Sequence, residues 1–303
     1  MWHINYPSNE TLAWYKDEYH DKIKEDIEND PDLDSEVKKI LLRDNNLEQL
    51  LIAPPEKLYA LNTKLESEIN KINRGKEHLD KIYDIFNYDD RIKKAQAYEL
   101  SKKIGTRTCV YCNRIYSFTV DNVSRPDFDH WLPKKQHPLL SMSFFNLIPC
   151  CPICNRSIKS TREFEYGKHI HPYCSKEETS FHFQYSPLPN DRWKLRLADL
   201  TKEEQKTAEI LKTEDSYEPY ANNEVKDLLD FVQKNPKEYI NELKDIIMKG
   251  YGNCITPEQA YRIVLGTELN ASLFLDRPLS KLKRDVLRQL QEDIGINLIV
   301  NPK

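Results

Sequence analysis

Apolar residues recur at steps of three and four over much of the chain. Leu58, Leu61, Leu65, Ile69 and Ile72 form one such series, the period of a single helix face. Pro54 and Pro55 mark its start and Gly75 its stop. An earlier helix carries Val37, Ile40 and Leu41 behind a cap at Asp34 or Ser35. Another runs from about Asp89 to Gly105. The pattern returns from Lys202 to about Ile294, with caps at Thr201 and Thr256 and breaks at Pro219, Pro236, Gly250 and Pro278.

The middle of the chain changes period. Tyr116–Val120 is β-prone and alternates, and Asp127–His130 and Phe144–Ile148 are further short strand candidates. A short helix is expected after Asn155. Ser180–Tyr185 and Trp193–Leu197 form a later strand pair, joined by a turn-like Pro187–Asn190. The fold class that follows is α+β and mainly helical. Three segments follow from it: an N-terminal helical arm (1–104), a central core (105–168), and a C-terminal small β element with helices (169–303).

Composition supports helices, since only 7 of 303 residues are Gly and 31% are charged. No run approaches the ~18 apolar residues of a membrane span, and residues 1–15 lack a secretory signal's basic start and apolar stretch. A soluble, cytoplasmic protein with no membrane partner is expected. The net charge of −4 argues against general polyanion binding. Its distribution does not: Ser101–Lys168 holds 11 Lys/Arg against 5 Asp/Glu, a local electropositive footprint. The first hundred residues sum to −7 and are not expected to grip nucleic acid.

Four of the seven cysteines form two C-x2-C pairs, Cys109/Cys112 and Cys151/Cys154. In a reducing compartment that pattern reads as metal rather than disulfide. Two short turns can each present two thiolates to a tetrahedral Zn²⁺. Cys150 could replace Cys151 by C-x3-C spacing, but Cys151 repeats the step found at Cys109. Cys174 and Cys254 have no local partners and are expected to be buried thiols. His169 and His171 lack a fourth ligand at suitable spacing and are expected at the surface. No Walker-type or dinucleotide-binding glycine motif is present.

Between the pairs stands Asp127-Phe-Asp-His-Trp-Leu-Pro-Lys134, followed by Asn146-Leu147, Asn155 directly after Cys154, and Lys159. These residue types suit phosphodiester hydrolysis with one divalent ion. A hard cation such as Mg²⁺ or Mn²⁺ takes oxygen ligands, here the Asp129 carboxylate and the Asn155 amide. A neutral histidine, His130, can accept a proton from attacking water, and Lys159 or Arg156 adds positive charge. Asn146 suits bracing of the hairpin that holds His130. Asp127 shares Asp129's strand face but is expected at the surface or in a turn. Arg125, Lys134, Lys135, Arg156 and Arg162 are the candidate phosphate contacts.

Asp129-His130, Asn146-Leu147, Cys151-x2-Cys154-Asn155 and Lys159 together resemble an HNH endonuclease with the ββα-metal fold, in its H-N-N variant with four-cysteine zinc knuckles. The resemblance covers roughly Arg107–Thr161. It implies that His130 is the general base, that Asp129 and Asn155 hold the catalytic metal, that Asn146 is the structural asparagine, and that the substrate is DNA. The wording around Trp131-Leu-Pro-Lys134 and Phe145-Asn-Leu-Ile-Pro149, within a chain with helical arms, also resembles HNH effectors of Septu-type bacterial anti-phage systems. That implies an ATPase subunit as partner. The competing readings are a zinc-ribbon module that binds nucleic acid without cutting it, and a scaffold whose acidic arms dock another protein.

Overall fold

In a computed structural model of the chain, residues 2–175, 181–235, 237–252 and 254–294 are described. Ser180 and Pro236, named above as a strand start and a helix break, lie outside them. The described chain is mainly helical with two small antiparallel sheets. It divides into two compact units, one of residues 4–106 and 117–174 and the other of residues 1–3, 107–116 and 175–303. Each is assembled from non-consecutive stretches, unlike the three segments drawn from the sequence.

The first unit begins with α1 (Asn9–Asn29), α2 (Ser35–Leu42), α3 (Asn46–Ile52), α4 (Pro55–Asn70), α5 (Gly75–Phe86) and α6 (Ala97–Ile104). Side chains fix where these helices start. Ser8 accepts the Thr11 N–H at 3.1 Å, and Asp34 accepts the Glu36 N–H at 2.7 Å. Pro55 opens α4, where a missing N–H costs nothing. On α1, Tyr15, Tyr19, Ile23 and Ile27 recur every fourth residue and are buried, each contributing about 1.5–3 kcal/mol of burial as an upper bound. Gly75 does not stop the helix predicted from Pro55. It starts the next one, because an added Cβ would stand 2.4 Å from the Ile69 carbonyl oxygen.

The helix expected from Asp89 to Gly105 is split. Asp89–Gln96 is a wide, π-type stretch, α6 follows it, and Gly105 closes α6 with φ +74°.

After α6 come β1 (Asp127–His130) and β2 (Leu147–Cys150), paired antiparallel with Asp129 opposite Ile148 and His130 opposite Leu147. A wide helical stretch, Ile153–Lys159, follows directly. Two expectations are corrected here. Phe144–Asn146 is a 3₁₀ turn, so the second strand starts three residues later than the apolar run suggests. Tyr116–Val120 forms no strand and makes only single bridges, Thr108 to Tyr116 and Val120 to Ser124. Its apolar residues point outward, with Phe118 48% and Val120 49% exposed. The alternation is present, but among the described residues it is met by isolated bridges rather than by a strand.

In the second unit, β3 (His182–Leu188) and β4 (Arg192–Ala198) form a hairpin with seven residue pairs. α7 (Lys202–Ile210), α8 (Thr213–Tyr220), α9 (Lys226–Lys234), α10 (Lys237–Gly250), α11 (Pro257–Leu265) and α12 (Ser280–Ile294) follow. Thr201 and Thr256 both form capping boxes. α12 supplies the hydrogen bonds that β3 lacks from another strand. Asp285 accepts the Phe183 N–H at 3.0 Å, and Gln289 both accepts from and donates to the Tyr185 backbone at 3.0 Å. No helix among the described residues is long and apolar enough to cross a membrane.

Candidate metal centre and candidate active site

The thiol sulfurs of Cys109, Cys112, Cys151 and Cys154 all lie within 4.8 Å of one another, and all four residues are buried. A tetrahedral Zn²⁺ with Zn–S bonds of about 2.3 Å would space its sulfurs about 3.8 Å apart, so the cluster fits the ion with a small contraction. Backbone N–H groups already face two of the sulfurs, Arg114 N to Cys112 at 3.5 Å and Cys154 N to Cys151 at 3.4 Å. Such bonds spread thiolate charge. Four buried cysteines this close could hold a metal ion such as zinc. Cys150 is not among the four; it sits in β2, and burial raises its thiol pKa well above the ordinary range.

Asn113 helps to anchor the first knuckle. Asn113 takes a left-handed backbone, φ +48°. Its Nδ2 donates to Thr108 Oγ1 at 2.9 Å, the Phe274 carbonyl at 2.7 Å and the Arg277 carbonyl at 2.9 Å. Its Oδ1 accepts from Ser280 N at 3.2 Å.

The second site lies wholly in the first unit. A cavity of about 720 Å³ is lined by all four residues of β1, by Asn155, Arg156 and Lys159 of the wide helix, and by Lys134 and Lys135. Thus Asp129, His130 and Asn155 share one cavity, although Asn155 follows His130 by 25 positions in the sequence.

His130 is buried, 8% exposed. Its Nε2 is 2.9 Å from the Ser141 carbonyl. A carbonyl only accepts, so Nε2 carries the proton and Nδ1 of the neutral ring is the acceptor. Burial lowers the His130 pKa from 6.5 to about 3, against a smaller upward pull from the Ser141 hydrogen bond. The ring is therefore neutral at physiological pH.

Asn146 is fully buried and does not line the cavity. Its Oδ1 accepts the Leu132 N–H at 2.9 Å, and its Nδ2 donates to the Leu132 carbonyl at 3.0 Å and the Leu140 carbonyl at 3.2 Å. It ties the chain leaving β1 to the chain entering β2. Tyr59 also donates to its Oδ1 at 3.4 Å, and Tyr59 in turn meets His171 Nε2 at 3.0 Å. His171 is thus a core residue, 3% exposed, not the surface histidine expected. Apolar packing around it, including Trp131 with ring centroids 4.7 Å apart, explains the difference. Conversely, Cys174 and Cys254, expected inside, are exposed.

Lys159 is not a free cation facing substrate. It is 2% exposed, paired with Asp129 Oδ2 at 2.7 Å and donating to the His130 carbonyl at 3.0 Å. Asp127 is also held, accepting from Arg156 Nε at 3.1 Å and from Asn155 Nδ2 at 3.3 Å. Asn155 lies inside the helix, which starts at Ile153 rather than after Asn155 as expected. Of the candidate phosphate contacts, Arg125, Lys134, Lys135 and Arg156 line the cavity. Arg162 lies outside it and donates to the Ile158 carbonyl.

The acidic N-terminal region also contributes. Tyr88, Asp89 and Lys93 line the cavity. The Tyr88 ring meets the His130 ring edge-on, with centroids 4.5 Å apart. Lys134 Nζ sits 4.7 Å from the Tyr88 ring centroid and 2.7 Å from Asp89 Oδ2. Net charge over a hundred residues hid these three. The pointer would have been an aromatic-acid-acid run, Tyr88-Asp-Asp90, just before a basic stretch.

No family model matches the chain, and no curated protein or solved structure matches it.

Proposed function

We propose that the chain is a metal-dependent endonuclease of HNH type that hydrolyses phosphodiester bonds of DNA. The observation that carries this reading is the shared cavity: a neutral histidine with an available Nδ1, an aspartate and an asparagine, ringed by Arg125, Lys134, Lys135 and Arg156. His130 Nδ1 takes the proton of the attacking water, and the Ser141 carbonyl holds the ring in the required tautomer. Asn146 keeps the two chain ends of the hairpin in register, so that His130 stays aimed. The cations on the rim hold the flanking phosphates. Asp129 and Asn155 offer the hard oxygen donors that Mg²⁺ or Mn²⁺ prefers. When bound there, the ion would stabilise charge developing on the phosphate and the leaving oxygen.

The four cysteines would hold a structural Zn²⁺ away from the chemistry. A role as a DNA-cutting effector in bacterial anti-phage defence, working in the cytoplasm beside an ATPase subunit, follows from the sequence resemblance. The chain carries no ATP-binding glycine motif of its own. The test is incubation of the zinc-loaded chain with plasmid DNA and either Mg²⁺, Mn²⁺ or EDTA. Nicked or linear plasmid only in the divalent-ion samples is expected. Intact plasmid with both ions, while the chain retards DNA in a gel, would favour the binding-module reading instead.

A further inference from the structure

Each aspartate that lines the cavity already has a basic partner. Asp89 holds Lys134 at 2.7 Å, Asp127 holds Arg156 at 3.1 Å, and Asp129 holds Lys159 at 2.7 Å. The first two cations sit where solvent reaches them, with side-chain exposures of 22% and 70%. The third pair differs: the Lys159 side chain is 3% exposed and that of Asp129 is 10% exposed. The ammonium is enclosed by the Asp129 carboxylate, the His130 carbonyl at 3.0 Å and the Phe164 ring, 5.3 Å from its centroid. A carboxylate so buried is costly to leave ionised without a countercharge. Lys159 supplies that charge, and it does so on an oxygen that a divalent ion would need.

We propose that Lys159 is a resident cation that occupies Asp129 when the divalent ion is absent, so that the ion and an anionic phosphodiester enter the cavity together. The inference rests on the nuclease reading and deepens it. A divalent ion arriving alone finds the aspartates neutralised and meets the Lys159 ammonium beside its ligand. A phosphodiester brings the missing negative charge and gives the Lys159 ammonium, which lines the cavity, an anionic partner in place of Asp129, whose carboxylate is then freed to face the ion. The coupling is reciprocal: each ligand raises the affinity of the other by the same factor.

The test measures Mn²⁺ binding by electron paramagnetic resonance. It uses the zinc-loaded full chain carrying His130→Ala to prevent turnover, with and without a short DNA duplex, after correction for ion held by the duplex alone. Affinity should rise about tenfold or more when the duplex is present. In a Lys159→Gln version of the same chain, Mn²⁺ should bind without duplex about tenfold tighter than in the parent and gain little on adding DNA. Equal Mn²⁺ affinity with and without duplex in the parent overturns the coupling and leaves the nuclease reading standing. An unchanged or weaker affinity in Lys159→Gln overturns the role of Lys159. No Mn²⁺ binding under any condition removes both the inference and the nuclease reading. If Lys159→Gln loses zinc or fails to fold, the parent's two titrations decide.

Discussion

The four-cysteine cluster could hold a metal ion and the β1 cavity is proposed to take one, and the two are built in opposite ways. The cluster is soft and buried: four thiols within 4.8 Å of one another, with backbone N–H groups turned toward their sulfurs. No basic side chain is needed to make it plausible, because a bound metal ion such as zinc would itself be the countercharge. The cavity is hard and mixed: three aspartates, each paired with a lysine or arginine, beside a neutral histidine and an amide. The lesson is about permanence. A site that is complete only with its ion suits a structural metal. A site already balanced by its own side chains suits an ion that comes and goes with substrate.

That contrast can be broken at several points. The largest effect is expected at the cluster. Structural zinc in small domains supplies about 10–16 kcal/mol of apparent binding free energy at neutral pH. Cys151→Ser should therefore lose bound zinc by elemental analysis and unfold at much lower denaturant concentration. Full zinc content and unchanged unfolding would show that the cluster is not a metal site. Next comes Asn146→Ala. It leaves the Leu132 N–H and the Leu132 carbonyl without their Asn146 partner, at a cost of about 1–3 kcal/mol for each, while the Leu140 carbonyl keeps the Ser143 N–H at 3.1 Å. Urea unfolding should show a loss of several kcal/mol, and activity should fall with it. A fully stable variant would mean that the hairpin does not depend on this amide.

A third test uses pH. Burial lowers the His171 pKa from 6.5 to about 3, opposed weakly by a hydrogen bond to the Phe145 backbone. The folded state keeps the ring neutral while the unfolded chain protonates near 6.5. Its stabilising contribution is complete above that value and is lost as pH falls toward 3. Between pH 7.5 and 5 the loss is about 2 kcal/mol for each such histidine, and His130 should add a similar amount. In His171→Gln, the difference in unfolding free energy between those two pH values should shrink by about 2 kcal/mol. An unaltered difference would mean that His171 is not the buried neutral ring described.

The smallest effect is expected at Tyr88. Its ring packs on His130, and aromatic pairs of this kind are worth about 0.5–1.5 kcal/mol. Tyr88→Leu should slow cleavage roughly two- to tenfold with zinc retained, whereas Tyr88→Phe should cleave like the parent. Equal slowing in both would shift the role from the ring to the hydroxyl.

Much of this was legible in the sequence where local chemistry fixes structure. Asp34, Thr201 and Thr256 cap the helices they precede, because a short oxygen side chain satisfies end N–H groups regardless of distant context. Asp129, His130 and Asn155 fall in one cavity because β1 pairs with β2 and the helix follows β2 directly, which leaves little freedom. What was not legible depends on neighbours far along the chain. Tyr116–Val120 alternates like a strand, but among the described residues it makes isolated bridges rather than a ladder. His171 is buried because Tyr59 and Trp131 surround it. Lys159 is enclosed through Asp129 and Phe164, which spacing alone does not reveal. Tyr88, Asp89 and Lys93 reach the cavity from a region whose summed charge pointed elsewhere. For the same reason, removing residues 1–90 would strip α1–α5 and Tyr88 from the first unit, rather than trim a detachable arm.

The most direct measurement is the single-turnover rate of plasmid cleavage by the parent and by His130→Ala, both zinc-loaded and supplied with Mn²⁺. Loss of a positioned general base should slow cleavage about 10²- to 10⁴-fold, with zinc content and thermal unfolding unchanged. A His130→Ala chain that cuts as fast as the parent would contradict the assignment of this cavity as the place where the phosphodiester is broken.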